Sequence, residues 1–224
     1  MGNSITLTAA DGHELLAYLC EPEGEPRGGV IIIQEIFGVN AHIRDVTERY
    51  AALGYRAISP ALYDRFERGF ETGYGPEDIA AGRDHKTSAN RNLDSVLADV
   101  EAARQAIADA GKVGITGFCW GGFVTWLAAC RLDVQAAAGY YGGGIADHIS
   151  ERPGCPTILH FGERDHSIPL TDVAGISDAH PDVGVYVYDA EHGFHCDMRG
   201  AFNPRAADIA GMRTLRLFDE NLTK

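Results

Sequence analysis

Val113-Gly114-Ile115-Thr116-Gly117-Phe118-Cys119-Trp120-Gly121-Gly122 is the stretch on which the fold turns. Val113 to Thr116 is apolar and β-branched, as a strand buried on both faces requires, and Gly122 to Ala129 reads as a helix. Between them Gly117-x-Cys119-x-Gly121 places a nucleophilic side chain on a sharp strand-to-helix turn, with cysteine where serine is usual. Glycines two residues before and after it leave room for neighbouring backbone, where a bulkier residue would clash. A cysteine opening a helix also feels the positive end of the helix dipole, which favours the nucleophilic thiolate. The competing reading is a buried structural cysteine, but strand, glycines and helix together favour the nucleophile.

Outward from this turn the same alternation recurs. Gly29 to Ile33 is a second continuous apolar run, followed by a helical pattern around Ile43 to Leu53. Further short strands are expected at Arg56 to Ser59, Gln135 to Tyr140, Thr157 to Phe161 and Gly184 to Tyr188. Helices are expected at Leu93 to Ala110, near Asp172 to Ser177, and from Pro204 to Asn221, where proline suits a first helical turn. Ile5 to Thr8 and Leu15 to Cys20 flank the turn dipeptide Asp11-Gly12 and read as an antiparallel hairpin at a sheet edge. Asp64 to Arg91 is polar and weakly periodic, so an irregular excursion beside the sheet is expected there. Strand and helix alternating in this way predict an α/β fold with a doubly wound, mainly parallel sheet carrying helices on both faces. No repeat or linker divides the chain, and residues 1–224 are expected to form a single domain.

Composition narrows the function classes. The chain has 224 residues, 45% of them hydrophobic and 23% charged, ordinary values for a protein that builds its own core. Thirty-two acidic against nineteen basic residues give a net charge of -13, which repels phosphate backbones and anionic headgroups, so neither nucleic acid nor membrane is an expected partner. Cysteines 20, 119, 130, 155 and 196 are odd in number and form no CxxC pair, which fits a reducing cytoplasm. No export leader or membrane span is expected from the N-terminal residues or the later apolar runs. The short patterns at Gly2 and Asn221 that match lipidation and glycosylation signals are of a kind that arises by chance.

A nucleophile needs a base, and the base an orienting acid, and on this kind of sheet they follow in the order nucleophile, acid, histidine. Cys119, Asp165 and His192 obey that order. Asp165 follows the Thr157 to Phe161 strand and His192 follows the Gly184 to Tyr188 strand, both at carboxyl ends where loops form the crevice. Glu163 competes with Asp165, but the loop must extend before it reaches a histidine on the next connection. His195 competes with His192, and Gly193 gives the loop freedom to turn beside His192.

Gln34-Glu35-Ile36-Phe37-Gly38-Val39-Asn40, the Gly117 to Gly122 turn, Gly139-Tyr140-Tyr141-Gly142 and the Asp165 and His192 loops together resemble the dienelactone hydrolase family, in that family's order. The resemblance implies the α/β-hydrolase fold and cleavage of an ester or lactone, a small molecule that sometimes carries a carboxylate. It implies Cys119 as nucleophile, His192 as base, Asp165 as orienting acid, and Glu35 beside the thiol. Backbone amides of Ile36 and Trp120 would form the oxyanion hole. Arg83 and Arg199 are the expected partners of a substrate carboxylate, with Cys196 standing where another such arginine is expected, and Tyr141 is a candidate substrate contact. No cofactor and no metal are implied, and a monomer or small homo-oligomer is expected. Two rival readings stand beside this one: a metal site built from His160, His166, His192, His195 and Cys196, and a non-catalytic binding protein on the same fold.

Overall fold

The computed structural model describes residues 2–223. β1 (Asn3–Thr8) and β2 (Glu14–Cys20) form the expected antiparallel hairpin, and Gly12 takes the φ of 84° that its turn demands. β2 continues antiparallel onto β4 (Arg56–Pro60). From there every pairing is parallel, through β3 (Gly29–Ile33), β5 (Val113–Phe118), β6 (Ala136–Tyr140), β7 (Thr157–Gly162) and β8 (Gly184–Tyr188). The resulting eight-stranded sheet has the order β1-β2-β4-β3-β5-β6-β7-β8. β3, β5, β6 and β7 are buried along their whole length, which is why they read as unbroken apolar runs.

Helices cover both faces of the sheet. α1 (Ala41–Ala52) and α6 (Pro204–Leu222) meet through Tyr50 and Phe218, whose ring centroids are 5.9 Å apart. α3 (Leu93–Ala106) and α4 (Trp120–Arg131) pack on β3 and its neighbours, and α5 (Leu170–Ala179) lies by β8. Each start has a physical cause: Asn40, Asn92 and Asn203 accept hydrogen bonds from the third helical amide of α1, α3 and α6, and Pro204 opens α6. α3 ends at Ala106 and the expected continuation to Ala110 is a 3-10 turn, Ala108–Ala110, while α4 and α5 extend further than their apolar cores suggested.

The Asp64 to Arg91 excursion is half corrected. Residues 64–75 are irregular, but α2 (Pro76–Asn90) is a regular helix of 15 residues. Pro76 starts it, Glu77 and Asp78 sit in its first turn, and the Asp78 carboxylate accepts the Gly75 N–H at 2.8 Å. Only Gly82 and Ala89 are fully buried on α2, so it has too narrow an apolar stripe for its period to show in the sequence.

Candidate active site

β3 leads one way across the sheet to β4, and β5 begins the march in the other direction, so the crevice at their carboxyl ends is the switch point where such sheets bind ligands. Ile33 pairs with Gly117 across β3 and β5, and two residues beyond that pair stand Glu35 and Cys119. On the other side Phe118 pairs with Tyr140, and the Cys119 amide donates to the Tyr140 carbonyl at 3.0 Å. Parallel registry alone therefore brings Glu35, Cys119 and Tyr141 to one level.

Cys119 has φ 57° and ψ -121°, and with Tyr141 (φ 37°) it is one of the two non-glycine residues at positive φ among the described residues. Such conformations cost roughly 1–3 kcal/mol each and survive only where the surroundings impose them. A Cβ at Gly117 would collide with the carbonyl of Gly121, and one at Gly121 with the carbonyls of Gln34 and Ile33. The elbow thus packs directly against the end of β3, which is the physical content of its glycine spacing. Cys119 is half-buried, and neither the Trp120 nor the Ile36 amide donates to another described residue.

Asp165 and His192 meet across the loops that follow β7 and β8. His192 Nδ1 lies 2.7 Å from Asp165 Oδ2, and Asp165 Oδ1 accepts the Ser167 amide at 2.8 Å, a short turn that points the carboxylate inward. The Asp165 side chain is fully enclosed, whereas its competitor Glu163 is exposed. His195 makes no such contact: its ring packs 4.8 Å from Phe118 and 5.0 Å from Tyr140.

Glu35 is buried, with Oε1 accepting from Arg199 at 3.2 Å and Oε2 left without a partner among the described residues. The Arg199 guanidinium lies 5.6 Å from the Phe37 ring and 5.7 Å from that of Tyr74, and a side chain at Gly193 would collide with it. Cys196 donates to the Tyr74 hydroxyl at 3.3 Å. Tyr141, a candidate substrate contact, is fully buried, its ring 5.0 Å from His192, and it does not line the open cleft.

That cleft has a volume of about 570 Å³, and Cys119, His192, Ile36, Trp120, Arg83 and Arg199 all line it. Lys86 and Asn90 line it as well and were missed. Arg83, Lys86 and Asn90 are spaced three and four apart, one face of a helix, a signal that appears only once α2 is recognised. His148, from the 3-10 turn Ile145–His148 after β6, was also missed; no motif marks it.

The residues of the metal reading are dispersed. His160 is buried against Tyr188 and Thr214, His192 is bound to Asp165, Cys196 to Tyr74, and His166 is exposed. Among the described residues no three His, Cys, Asp or Glu side chains are grouped to hold a metal ion.

Electrostatics separates the three histidines. Burial opposes charge on His192, but the Cys119 sulfur and the Asp165 carboxylate outweigh it and raise its pKa to about 10. Burial holds His160 and His195 down at about 3. In a ¹⁵N NMR titration from pH 5 to 8, His192 is expected to remain imidazolium while His160 and His195 remain neutral. Since the unfolded chain protonates those two near pH 6.5, their burial should remove stability as pH falls below about 6.5 toward 3. A neutral His192 at pH 7 would mean that the sulfur and the carboxylate do not act on it together.

A half-buried cysteine on a strained turn at the switch point of a mainly parallel sheet, with a His–Asp pair reaching the same crevice, defines an α/β-hydrolase. The sequence model of the Dienelactone hydrolase family matches residues 15–222, and the chain belongs to that family. It is a carboxylic ester hydrolase. A carboxymethylenebutenolidase from Pseudomonas putida is 32% identical over 94% of this chain and 93% of its own. A Synechocystis sp. protein provisionally named carboxymethylenebutenolidase is 39% identical, covering 93% of each. The crystal structure of a protein provisionally named dienelactone hydrolase, from Klebsiella pneumoniae, superposes with a TM-score of 0.85 at 29% identity, covering 97% of this chain and 98% of that one. No helix among the described residues is long and apolar enough to cross a membrane.

Proposed function

We propose that the chain, acting as one domain without a cofactor, cleaves a small ester or lactone through a thiol acyl-enzyme carried by Cys119. The observation that carries this reading is the 2.7 Å contact of His192 with enclosed Asp165, in the cleft that Cys119 also lines. The thiolate attacks the ester carbonyl carbon, and the C=O electron pair moves to oxygen, where the free amides of Ile36 and Trp120 receive it. Collapse expels the alcohol oxygen, which takes its proton from His192, and leaves a thioester. His192, now neutral, takes a proton from water as the hydroxyl attacks the thioester, and the thiolate departs. Asp165 orients His192 throughout.

Glu35 tethers Arg199 through one oxygen, and its second oxygen has no partner among the described residues. Arg83 and Lys86 on α2 line the cleft together with Arg199, and no acidic partner holds either of the two among the described residues, so they suit a substrate carboxylate. Five free cysteines fit a reducing cytoplasm.

A panel of esters and lactones with and without a carboxylate, read by turnover and by mass spectrometry of the Cys119 peptide, tests the reading. An acyl adduct on that peptide is expected, whereas chelator-sensitive turnover that survives thiol alkylation would overturn it. Arg83→Ala and Lys86→Ala are each expected to raise KM for carboxylate-bearing esters about tenfold, the scale of one charge-assisted hydrogen bond, and to leave neutral esters unchanged. Equal effects on both substrate sets would remove the carboxylate from the proposal.

A further inference from the structure

We propose that helix α2 braces the oxyanion hole, with Gly82 and Asn90 as its positioning residues. This rests on the reading above, in which the Ile36 and Trp120 amides receive the developing charge. Gly82 meets the first of these residues: a Cβ there would collide with the Ile36 carbonyl oxygen and lie 3.1 Å from Ile36 Cγ1. Asn90 holds the second, its Oδ1 accepting the Trp120 indole N–H at 2.8 Å. The Trp120 ring also stacks on Tyr63 at 5.0 Å, and Tyr63 on His85 of α2 at 5.3 Å, so the helix grips Trp120 by two routes.

Gly82 and Ala89 are the only buried residues of the helix, so Gly82 is one of its two closest approaches to the body of the protein. Gly82 and Asn90 stand about 12 Å apart along the helix axis, at 1.5 Å per residue. One rigid rod therefore touches both residues whose amides must converge on a single oxygen. Oxyanion donors work over a narrow range, about 2.7–3.1 Å from the charged oxygen, so a small tilt of α2 would spoil the convergence without opening the cleft.

The test uses p-nitrophenyl butyrate as ester, butanal as a mimic of the tetrahedral state and butyrate as a ground-state ligand. The thiolate adds to butanal by forming an S–C bond, the C=O pair moves to oxygen, His192 keeps its proton, and nothing leaves. Asn90→Leu and Trp120→Phe are each expected to lower kcat about ten- to a hundredfold, somewhat less than outright loss of an oxyanion donor, with KM within about threefold. Butanal should weaken in step with kcat/KM while butyrate is unmoved, and the double variant should be no worse than either single one. Asn90→Asp, which keeps an acceptor oxygen, should retain activity. Gly82→Ala should behave as Asn90→Leu does, and because Asn90 is exposed at a helix end its variants keep the test alive if Gly82→Ala fails to fold. Unchanged kcat in Asn90→Leu, or equal weakening of butanal and butyrate, overturns the brace. Cys119→Ala separates the two failures: turnover or wild-type butanal affinity in that variant sinks the thiol reading itself, whereas an inert Cys119→Ala beside a fully active Asn90→Leu sinks the brace alone.

Discussion

Cys119→Ala is expected to lower ester turnover by about four to six orders of magnitude while leaving the thermal melt close to that of the unaltered chain. The loss is large because the attacking atom is gone, so what is left of the rate comes from binding and the oxyanion amides alone. The fold should survive because Gly117, Gly121 and the amide of residue 119, which donates to the Tyr140 carbonyl, remain to hold the turn. Cys119→Ser is expected to be nearly as impaired, since a hydroxyl ionises far less readily beside His192 than a thiol does. Steady-state kinetics on purified variants, with the melt as control, decides the matter. Near-normal turnover by Cys119→Ala would end the thiol mechanism.

His192→Ala is expected to lose about a hundredfold to ten-thousandfold in kcat, the usual worth of general acid–base assistance, while His195→Ala retains it. The two residues lie in one loop, but His192 alone meets Asp165, and His195 packs its ring on Phe118 and Tyr140. Because that packing is partly structural, His195→Ala is expected to melt at a lower temperature than His192→Ala. Should His195→Ala be the inactive enzyme at full stability, the assignment through residues 191–196 is wrong, and the pairing of Glu35 with Arg199 loses its place beside the base.

Asp165 illustrates how far the chain could be read before its structure was known. Its place after a strand end and its order between Cys119 and His192 favoured it over Glu163, and in the structure its carboxylate is enclosed, held by the Ser167 amide and in contact with His192. Arg199 was less legible. It was expected to meet substrate, yet its guanidinium turns back to Glu35, a residue 164 positions earlier in the chain. Lys86 and Asn90 were invisible for another reason: α2 buries too little for its period to announce a helix, so the face they share with Arg83 did not exist on paper.

The sequence by itself determined what depends on near neighbours: the buried strands from their apolar runs, the turn from glycines two residues either side of Cys119, and the chain order of Cys119, Asp165 and His192 after successive strand ends. These are set by local sterics and by side-chain period, which act over a few residues and leave a pattern in the chain. Only the tertiary structure decided which histidine turns toward Asp165, that Arg199 is tethered to Glu35, that Tyr141 is buried and outside the cleft lining, and that α2 rests on Ile36 and Trp120. Each of those outcomes is a competition among groups distant in sequence for one enclosed partner or one packed surface. Parallel strand registry settles it by bringing the loop ends to the same level, and no local pattern records the result.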